Sequence, residues 1–362
     1  MRPVKKKMLF IMAVDWNWIY QRPHVIAEYL SRDYEVTVAY PIKIWDRNIV
    51  KRTKRESAKI HKLKLWTLPF QRKSRLVGRI ADRYKRSVFK NYQQYSYIYI
   101  SYPTDVEYIP TDYRGCLIYD CIDDYEQMCN DEYLRRRIQL DEKALLQRSD
   151  FVFVSSQNLW RKKADFCKVS PILVRNGTSF QKIFEAKQAH IKKRYLLGYI
   201  GTIAEWFDYE LVKDNSRKHD ELEYHLIGPS LLPEQLGNNE IMYDGIIEHD
   251  RLQAYVKEYD CMIMPFVVNE IVKAVDPVKL YEYIAFGKCI ISVYYEELDY
   301  FKDYVYFYRT KEEYDELTKK LIDQGFPPKY NGKQQEAFLA ENNWEKRYQK
   351  IQQTIERLNL GT

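Results

Sequence analysis

The stretch DPVKLYEYIAFGKCII, Asp276 to Ile291, carries its own boundaries. Asp276 suits the capping residue of a helix, Pro277 the first helical position and Gly287 the stop, which predicts a helix of about ten residues over 277–286. The apolar run that follows, 288–293, reads as a buried strand. Side chains on a helix step by about 100°, so Leu280, Tyr281 and Ile284 share the inward side, and Lys279 and Glu282 lie roughly 60° apart on the other. A cation, a carboxylate and a helix N-terminus are thus expected to face one region.

Outward from this helix, apolar runs and helical patterns alternate. Strands near 195–200, 222–227, 260–264 and 288–293, with helices near 250–258, 277–286 and 311–324, make one doubly wound domain. Upstream, strands near 8–14, 35–39, 97–101, 116–120, 151–154 and 171–174 alternate with helices near 21–31, 76–92, 132–148 and 157–165. Between the two, TSFQKIFEAKQAHIKKR (178–194) is polar and lysine-rich and reads as the connection. A last helix, about 343–359, spaces Trp344, Tyr348, Ile351, Ile355 and Leu358 by four, three, four and three residues. It buries one stripe and is expected to dock on the first domain. The expected fold class is α/β with two doubly wound domains, 1–180 and 181–342, and a C-terminal helix, 343–362. Ligands of such folds bind at the carboxyl ends of the strands.

The 362 residues exceed what one core usually holds, and the 46% hydrophobic content is that of a folded globule. No apolar run approaches the 18 or so residues that span a bilayer. Met8 to Val14 is a run of seven ended by Asp15, expected as a first strand rather than a leader. The net charge of +7 is concentrated: residues 43–90 hold seventeen Lys and Arg against three Asp and Glu, around LWTLPF (65–70) and RLVGRIADRYKRSVF (75–89). That segment suits anionic lipid headgroups, a nucleic acid, or a solvated basic surface. The six cysteines show neither CxxC pairing nor metal-ligand spacing, which fits reduced thiols in a cytoplasm.

Three glycine turns follow apolar runs in the second domain: GYIGTIAEW (198–206) with Gly201, HLIGPS (225–230) and MYDGII (242–247) with Gly245. Each alone reads as a turn; together they suit a ribose and base lying against the backbone. Amides at the start of the 277–286 helix with Lys279 would hold a diphosphate, and ionised Glu282 could accept from both hydroxyls of a ribose. In the first domain, Asp15 and Trp16 precede QRPHVIAEYL. Its Arg22 and His24 suit either a phosphate or acceptor contact, or a surface arginine and a capping histidine. YDCIDDYEQM ends a strand with Asp120, Asp123 and Asp124; buried like charges raise a carboxyl pKa, which suits a general base, while solvated loop carboxylates remain the plain alternative.

DPVKLYEYIAFGKCIIS, GYIGTIAEW, IGP and VRNGT together resemble the donor-binding half of GT-B fold glycosyltransferases, especially the family 4 type. DWNWIYQRPHVIAEYLSRDYEVTVAYP and YDCIDDYEQM resemble the amino-terminal half of a bacterial subgroup that builds capsule, exopolysaccharide or teichuronic-acid chains. The resemblance covers about residues 15 to 292. It implies two Rossmann-like domains facing a cleft, with donor on the carboxy-terminal side and acceptor on the other. The donor would be a nucleotide sugar, UDP favoured, bound through Glu282, Pro277, Lys279, Gly201, Gly245 and Asn269. Asp123 or Asp124 would be base or acceptor-orienting group with His24 nearby, and Arg22, Asp15 and Trp16 would lie on the acceptor side. No obligatory metal or cofactor is implied. The acceptor would be a glycan or a polyprenyl-linked acceptor, reached from the cytoplasm at an anionic inner-membrane surface, with no nucleic acid as partner. Two positions depart from the family: Ala274 stands where a second Glu is usual, with Glu270 out of register, and Trp206 and Asp208 stand where an Arg-Lys pair is usual. Two other readings are a UDP-sugar 2-epimerase of the same fold and a nucleic-acid-binding protein that uses the basic segment.

Overall fold

Met8, Leu9, Phe10 and Ile11 have no more than 1% of their surface exposed, and they lie in an inner strand of the first of two units. The computed structural model describes residues 5–43, 59–69, 75–186, 190–232, 236–237, 240–247 and 251–359. The chain divides into residues 1–175 with 347–362, here unit 1, and residues 176–346, unit 2.

Unit 1 runs β1 (Lys7–Ile11), α1 (Arg22–Leu30), β2 (Glu35–Lys43), β3 (Ile60–Thr67), α2 (Arg75–Val88), β4 (Tyr97–Ile100), β5 (Cys116–Cys121), α3 (Glu132–Arg148), β6 (Phe151–Val154), α4 (Gln157–Lys163) and β7 (Ile172–Leu173). Its seven strands are all parallel, in the order β3-β2-β1-β4-β5-β6-β7. Near-continuous apolar strands such as Tyr97–Ile100 and Phe151–Val154 are what a sheet covered on both faces demands.

Unit 2 runs β8 (Tyr195–Ile200), α5 (Tyr209–Lys218), β9 (Leu222–Ile227), β10 (Ile241–Gly245), α6 (Leu252–Glu258), β11 (Cys261–Met264), α7 (Glu270–Lys273), α8 (Val278–Ala285), β12 (Cys289–Val293), β13 (Tyr306–Tyr308), α9 (Lys311–Gln324), α10 (Gly332–Glu341) and the start of α11 (Trp344–Asn359). Its six strands are parallel in the order β10-β9-β8-β11-β12-β13. In both units the strand order reverses beside the first strand, between β1 and β4 and between β8 and β11. Such a switch point opens a crevice at the strands' carboxyl ends.

From Arg347 onward α11 counts with unit 1. There Tyr348 packs its ring 5.4 Å from that of Tyr29 and donates its hydroxyl to the Asp33 carboxylate, while Tyr34 donates to Gln352 Oε1 at 3.0 Å. Trp344, Tyr348, Ile351 and Ile355 are buried, so these four positions of the stripe read from the spacing pack, while the Leu358 side chain lies outside the described residues.

Several elements differ from expectation. β3 lies inside the basic segment that reads as loop and surface helix; Lys62, Lys64 and Trp66 alternate outward while Leu63 and Leu65 turn inward. Lysine on an edge strand deters pairing with another chain and also hides the apolar alternation. Residues 44–58 and 70–74 of that segment lie outside the described residues. The stretch 178–194, expected as a connection, begins as part of unit 2: the Ile183 amide donates to Ala285 O at 2.9 Å, Gln335 Nε2 to Phe184 O at 2.9 Å, and the Phe180 and Phe286 rings meet at 5.4 Å. Three apolar side chains among the lysines suffice to anchor it.

Candidate active site

The Pro-x-Lys-x-x-Glu helix is present one residue later than its sequence suggests. α8 starts at Val278 after an extended Pro277 (φ −81°, ψ 114°). Asp276, expected as the cap, instead accepts from the Asn176 amide at 2.5 Å and from the Tyr281 hydroxyl at 3.0 Å. This buried carboxylate ties the entry of α8 to Asn176, and its own backbone carbonyl accepts from Asn176 Nδ2 at 2.6 Å. The far end behaves as expected, with Gly287 at φ +68° just past the last turn.

α8 is registered on the end of β8 by one side chain. The Tyr283 hydroxyl accepts from the Ile200 amide at 3.1 Å and donates to the Ile200 carbonyl at 3.4 Å. One turn back along α8, Lys279 therefore lies over the next residue of the strand end, Gly201. Gly201 has φ +148°, and a methyl group on it would meet Lys279 Cε at 2.0 Å. The next strand end is as close: Gly228, after β9, has φ +137°, and a Cβ there would sit 2.0 Å from Gly201 O. Gly228 N donates to Gly245 O at 2.5 Å, so the three glycines follow one another across the ends of β8, β9 and β10. Both Gly201 and Gly228 are needed for conformation and for space.

The loop after Gly201 is tied on both sides. Ile203 N donates to Pro229 O at 2.9 Å and Val267 N to Trp206 O at 2.7 Å, while Asp208 N donates to Pro265 O at 2.8 Å and its side chain caps α5 through Leu211 N. Asp208 and Trp206, at the positions where the family that the motifs resemble has an Arg-Lys pair, thus hold the loop in place. Ala274 is buried at 1% exposure, and exposed Glu270 pairs with Lys273 at 2.7 Å, so neither stands in for the carboxylate of the family that the motifs resemble. Asn269, expected on the donor side, caps α7 by accepting from Val272 N at 2.9 Å.

Lys279 and Glu282 are half-buried, and neither has a hydrogen-bonded partner among the described residues. Burial holds Lys279 below the usual lysine value, with the Glu282 charge acting against that shift. Burial pushes Glu282 up to about 7, opposed by Lys279. The Lys279 ammonium is 5.6 Å from the centre of the Tyr199 ring and 5.8 Å from that of Phe266. A desolvated cation and a desolvated carboxylate at a switch point suit a ligand that brings both negative charge and hydroxyl donors.

In unit 1 the residues expected on the acceptor side divide. Arg22, buried at 4% exposure, donates through Nε and Nη2 to the Asp120 carboxylate at 3.0 and 2.7 Å, and through Nη1 to Val174 O at 2.6 Å. It binds β5 and the residue after β7 to α1. His24 is fully buried: its Nδ1 accepts from the Gln21 amide at 3.2 Å, which leaves Nε2 to donate to Asp15 O at 3.3 Å. It is the capping histidine of the two readings, and its ring nitrogens are engaged by the α1 entry, so a base role does not follow. Trp16 is buried against His24 with ring centres 5.5 Å apart, and Asp15 accepts from the Asn17 amide at 2.9 Å. A helix opening Arg-Pro-His has to fix its own entry, and these four residues do that.

The three carboxylates after β5 divide as well. Asp120 is paired with Arg22 and Asp124, buried, with Lys162 at 2.9 Å. Asp123 has no side-chain hydrogen bond or ion pair among the described residues. Burial pushes it up to about 6, with Arg22 lowering and Asp124 raising it. The Tyr125 hydroxyl, buried beside this carboxylate, also has no hydrogen-bonded partner among the described residues. Lys162 and Tyr283 were not singled out in the sequence, whereas the glycine of HLIGPS was; the i, i+4 relation of Tyr283 to Lys279 is the signal that would have pointed to the tyrosine.

No protein-family model matches the chain. A Bacillus subtilis (strain 168) protein named as the teichuronic acid biosynthesis glycosyltransferase TuaH is 25% identical over 197 residues, 49% of this chain and 50% of that protein. The chain thus matches about half the length of this curated relative. Among solved structures, sucrose-phosphate synthase from Thermosynechococcus elongatus superposes with a TM-score of 0.71 at 14% identity, covering 99% of this chain and 100% of that one. Anabaena HepE in complex with UDP and glucose gives 0.69 at 14% identity, over 97% and 99%. The resemblance read from the motifs and the likeness of the two parallel sheets agree, and the chain has the fold of the GT-B glycosyltransferases.

Proposed function

We propose that the protein is a glycosyltransferase that moves a sugar from a nucleoside-diphosphate sugar, UDP favoured, to a hydroxyl of a growing, lipid-linked bacterial cell-surface glycan. The observation that carries this reading is Lys279 held across Gly201 at the switch point of unit 2, with Glu282 one turn-face away. The UDP and glucose in the Anabaena structure and the teichuronic acid name of the Bacillus relative support the donor and product classes.

In this reading the diphosphate lies at the start of α8, where Lys279 and the helix dipole oppose its charge, and ionised Glu282 accepts from the ribose hydroxyls. The bond from the anomeric carbon to the diphosphate breaks, the bond to the acceptor oxygen forms, and the acceptor proton passes to the Asp123 carboxylate. Lys279 offsets the charge that develops on the leaving diphosphate, so no metal is required. The enzyme works on the cytoplasmic side of an anionic membrane, where its acceptor is anchored. No helix among the described residues is long and apolar enough to cross a membrane.

Thermal stabilisation by UDP, GDP, dTDP and ADP, in EDTA and then with magnesium, tests the donor half for the wild type and Glu282→Ala. One diphosphate is expected to raise the melting temperature of the wild type in EDTA and not that of the variant. A wild type that responds to none, or a variant that responds equally, overturns the assignment of α8.

A further inference from the structure

Helix α2 sorts its charges by face. Its one acid, Asp82, accepts from the Tyr108 hydroxyl at 3.0 Å, Lys85 lies 3.7 Å from Asp105, and the Tyr84 hydroxyl donates to Lys64 O at 3.2 Å. Ala81 and, just past the helix, Phe89 are buried at 4% and 3% exposure. Those residues turn toward the rest of unit 1. On the other side, Arg79, Arg83 and Arg86 fall with Leu76 and Ile80 inside an arc of about 120°. Leu76 is 69% and Ile80 53% exposed, and none of the three arginines makes a hydrogen bond or ion pair among the described residues.

An outward face of this kind is poorly matched to water. Three like charges within two turns repel one another, and nothing among the described residues covers the two aliphatic side chains between them. A layer of phosphates above hydrocarbon supplies what each component lacks. Guanidinium groups take phosphate oxygens in bidentate fashion, and leucine and isoleucine reach the acyl boundary. A nucleic acid would satisfy the arginines but leave Leu76 and Ile80 against a charged backbone. The flanking sequence adds the same sign of charge, seventeen cations against three anions over 43–90.

We propose that the outer face of α2 is a docking surface for a bilayer containing anionic phospholipid, with Arg79, Arg83 and Arg86 on the headgroups and Leu76 and Ile80 inserted. The proposal rests on the reading of a lipid-linked acceptor and names the surface by which unit 1 reaches it.

The test is flotation of the full chain with vesicles of phosphatidylglycerol and phosphatidylcholine, against phosphatidylcholine alone, at 0.1 and 0.5 M salt, with a single-stranded RNA oligonucleotide as a second probe. Binding is expected to anionic vesicles only and to weaken with salt. Arg79→Glu with Arg83→Glu is expected to lower it at least 25-fold, about fivefold for each cation removed. Leu76→Ser with Ile80→Ser is expected to lower vesicle binding about tenfold or more and leave any RNA binding unchanged, because only the bilayer uses the apolar pair. Equal binding by wild type and the serine variant, or equal binding to both vesicle types, overturns the proposal. The nucleotide-dependent melting shift, measured on the same proteins, reports the donor site separately. Vesicle binding without that shift overturns the glycosyltransferase reading and leaves the docking face standing; the shift without vesicle binding does the reverse.

Discussion

Lys279 lies across the α-carbon of Gly201 so closely that no side chain fits between them. The contact follows from Tyr283, which holds the end of β8 by both backbone groups of Ile200 and thereby sets the helix one turn downstream of its lysine. Gly201→Ala is expected to destabilise the protein by more than 1 kcal/mol, since alanine at φ +148° is strained and must also expel the lysine. It is also expected to lose the nucleotide-dependent rise in melting temperature. Combining it with Lys279→Ala should reduce the nucleotide response no further than either change alone; independent additive losses would mean that the two residues do not act as one contact.

Glu282 is held up to about 7 by burial, and the role proposed for it needs the ionised form. A carboxyl raised above its unfolded value is mostly neutral in the folded protein at pH 6, and its charge appears as pH rises through about 7. Nucleotide affinity should therefore increase between pH 6 and 8 at constant salt, measured by calorimetry. Glu282→Gln should bind more weakly at pH 8 and show little of that slope. Folding stability runs the other way, because ionising a buried carboxyl costs more in the native state than in the unfolded chain. The wild type should lose stability relative to the glutamine variant as pH climbs from about 4.5 through 7.

The two sheets were legible because parallel strands buried on both faces leave uninterrupted apolar runs, as in Tyr97–Ile100 and Cys289–Val293. β3 was not, since its outward positions carry lysine, and short β13 and helix α10 lack a strong pattern of their own. Lys279 and Glu282 could be placed on one face from helix periodicity alone. Their depth could not, because it depends on Tyr283 and on three glycines that come from other strands. The partner of Arg22 could not be read either. A single sequence does not show that Arg22 and Asp120, 98 residues apart, meet inside the unit.

That buried pair predicts a large loss of stability. Arg22 and Asp120 are 4% and 0% exposed and make two charge-assisted hydrogen bonds. Arg22→Ala leaves an uncompensated carboxylate in the core and should cost about 3–5 kcal/mol in urea unfolding. Arg22→Met with Asp120→Leu should recover most of that loss, because the penalty lies in the unpaired charge. A cost under about 1 kcal/mol for the single change would show that the arginine does not hold α1 to β5.

Of the three carboxylates after β5, only Asp123 combines a raised pKa, about 6, with a side chain that no cation in unit 1 pairs with among the described residues. A base acts in its ionised form, so sugar transfer should rise with pH through about 6 and level off, before Glu282 has finished ionising. The two groups then separate by kinetic parameter: Asp123 should govern kcat and Glu282 the KM for the donor. Asp123→Asn is expected to lower kcat at least 100-fold, read as UDP released from a UDP-sugar in the presence of a polyprenyl-linked acceptor, while leaving the nucleotide melting shift intact. Asp124→Asn should act differently, since it frees Lys162 from a buried partner and lowers the melting temperature. If Asp123→Asn keeps wild-type kcat, the acceptor proton leaves by another route, with the diphosphate itself as the remaining base, and the carboxylate run is a structural support for α4 and the end of β5.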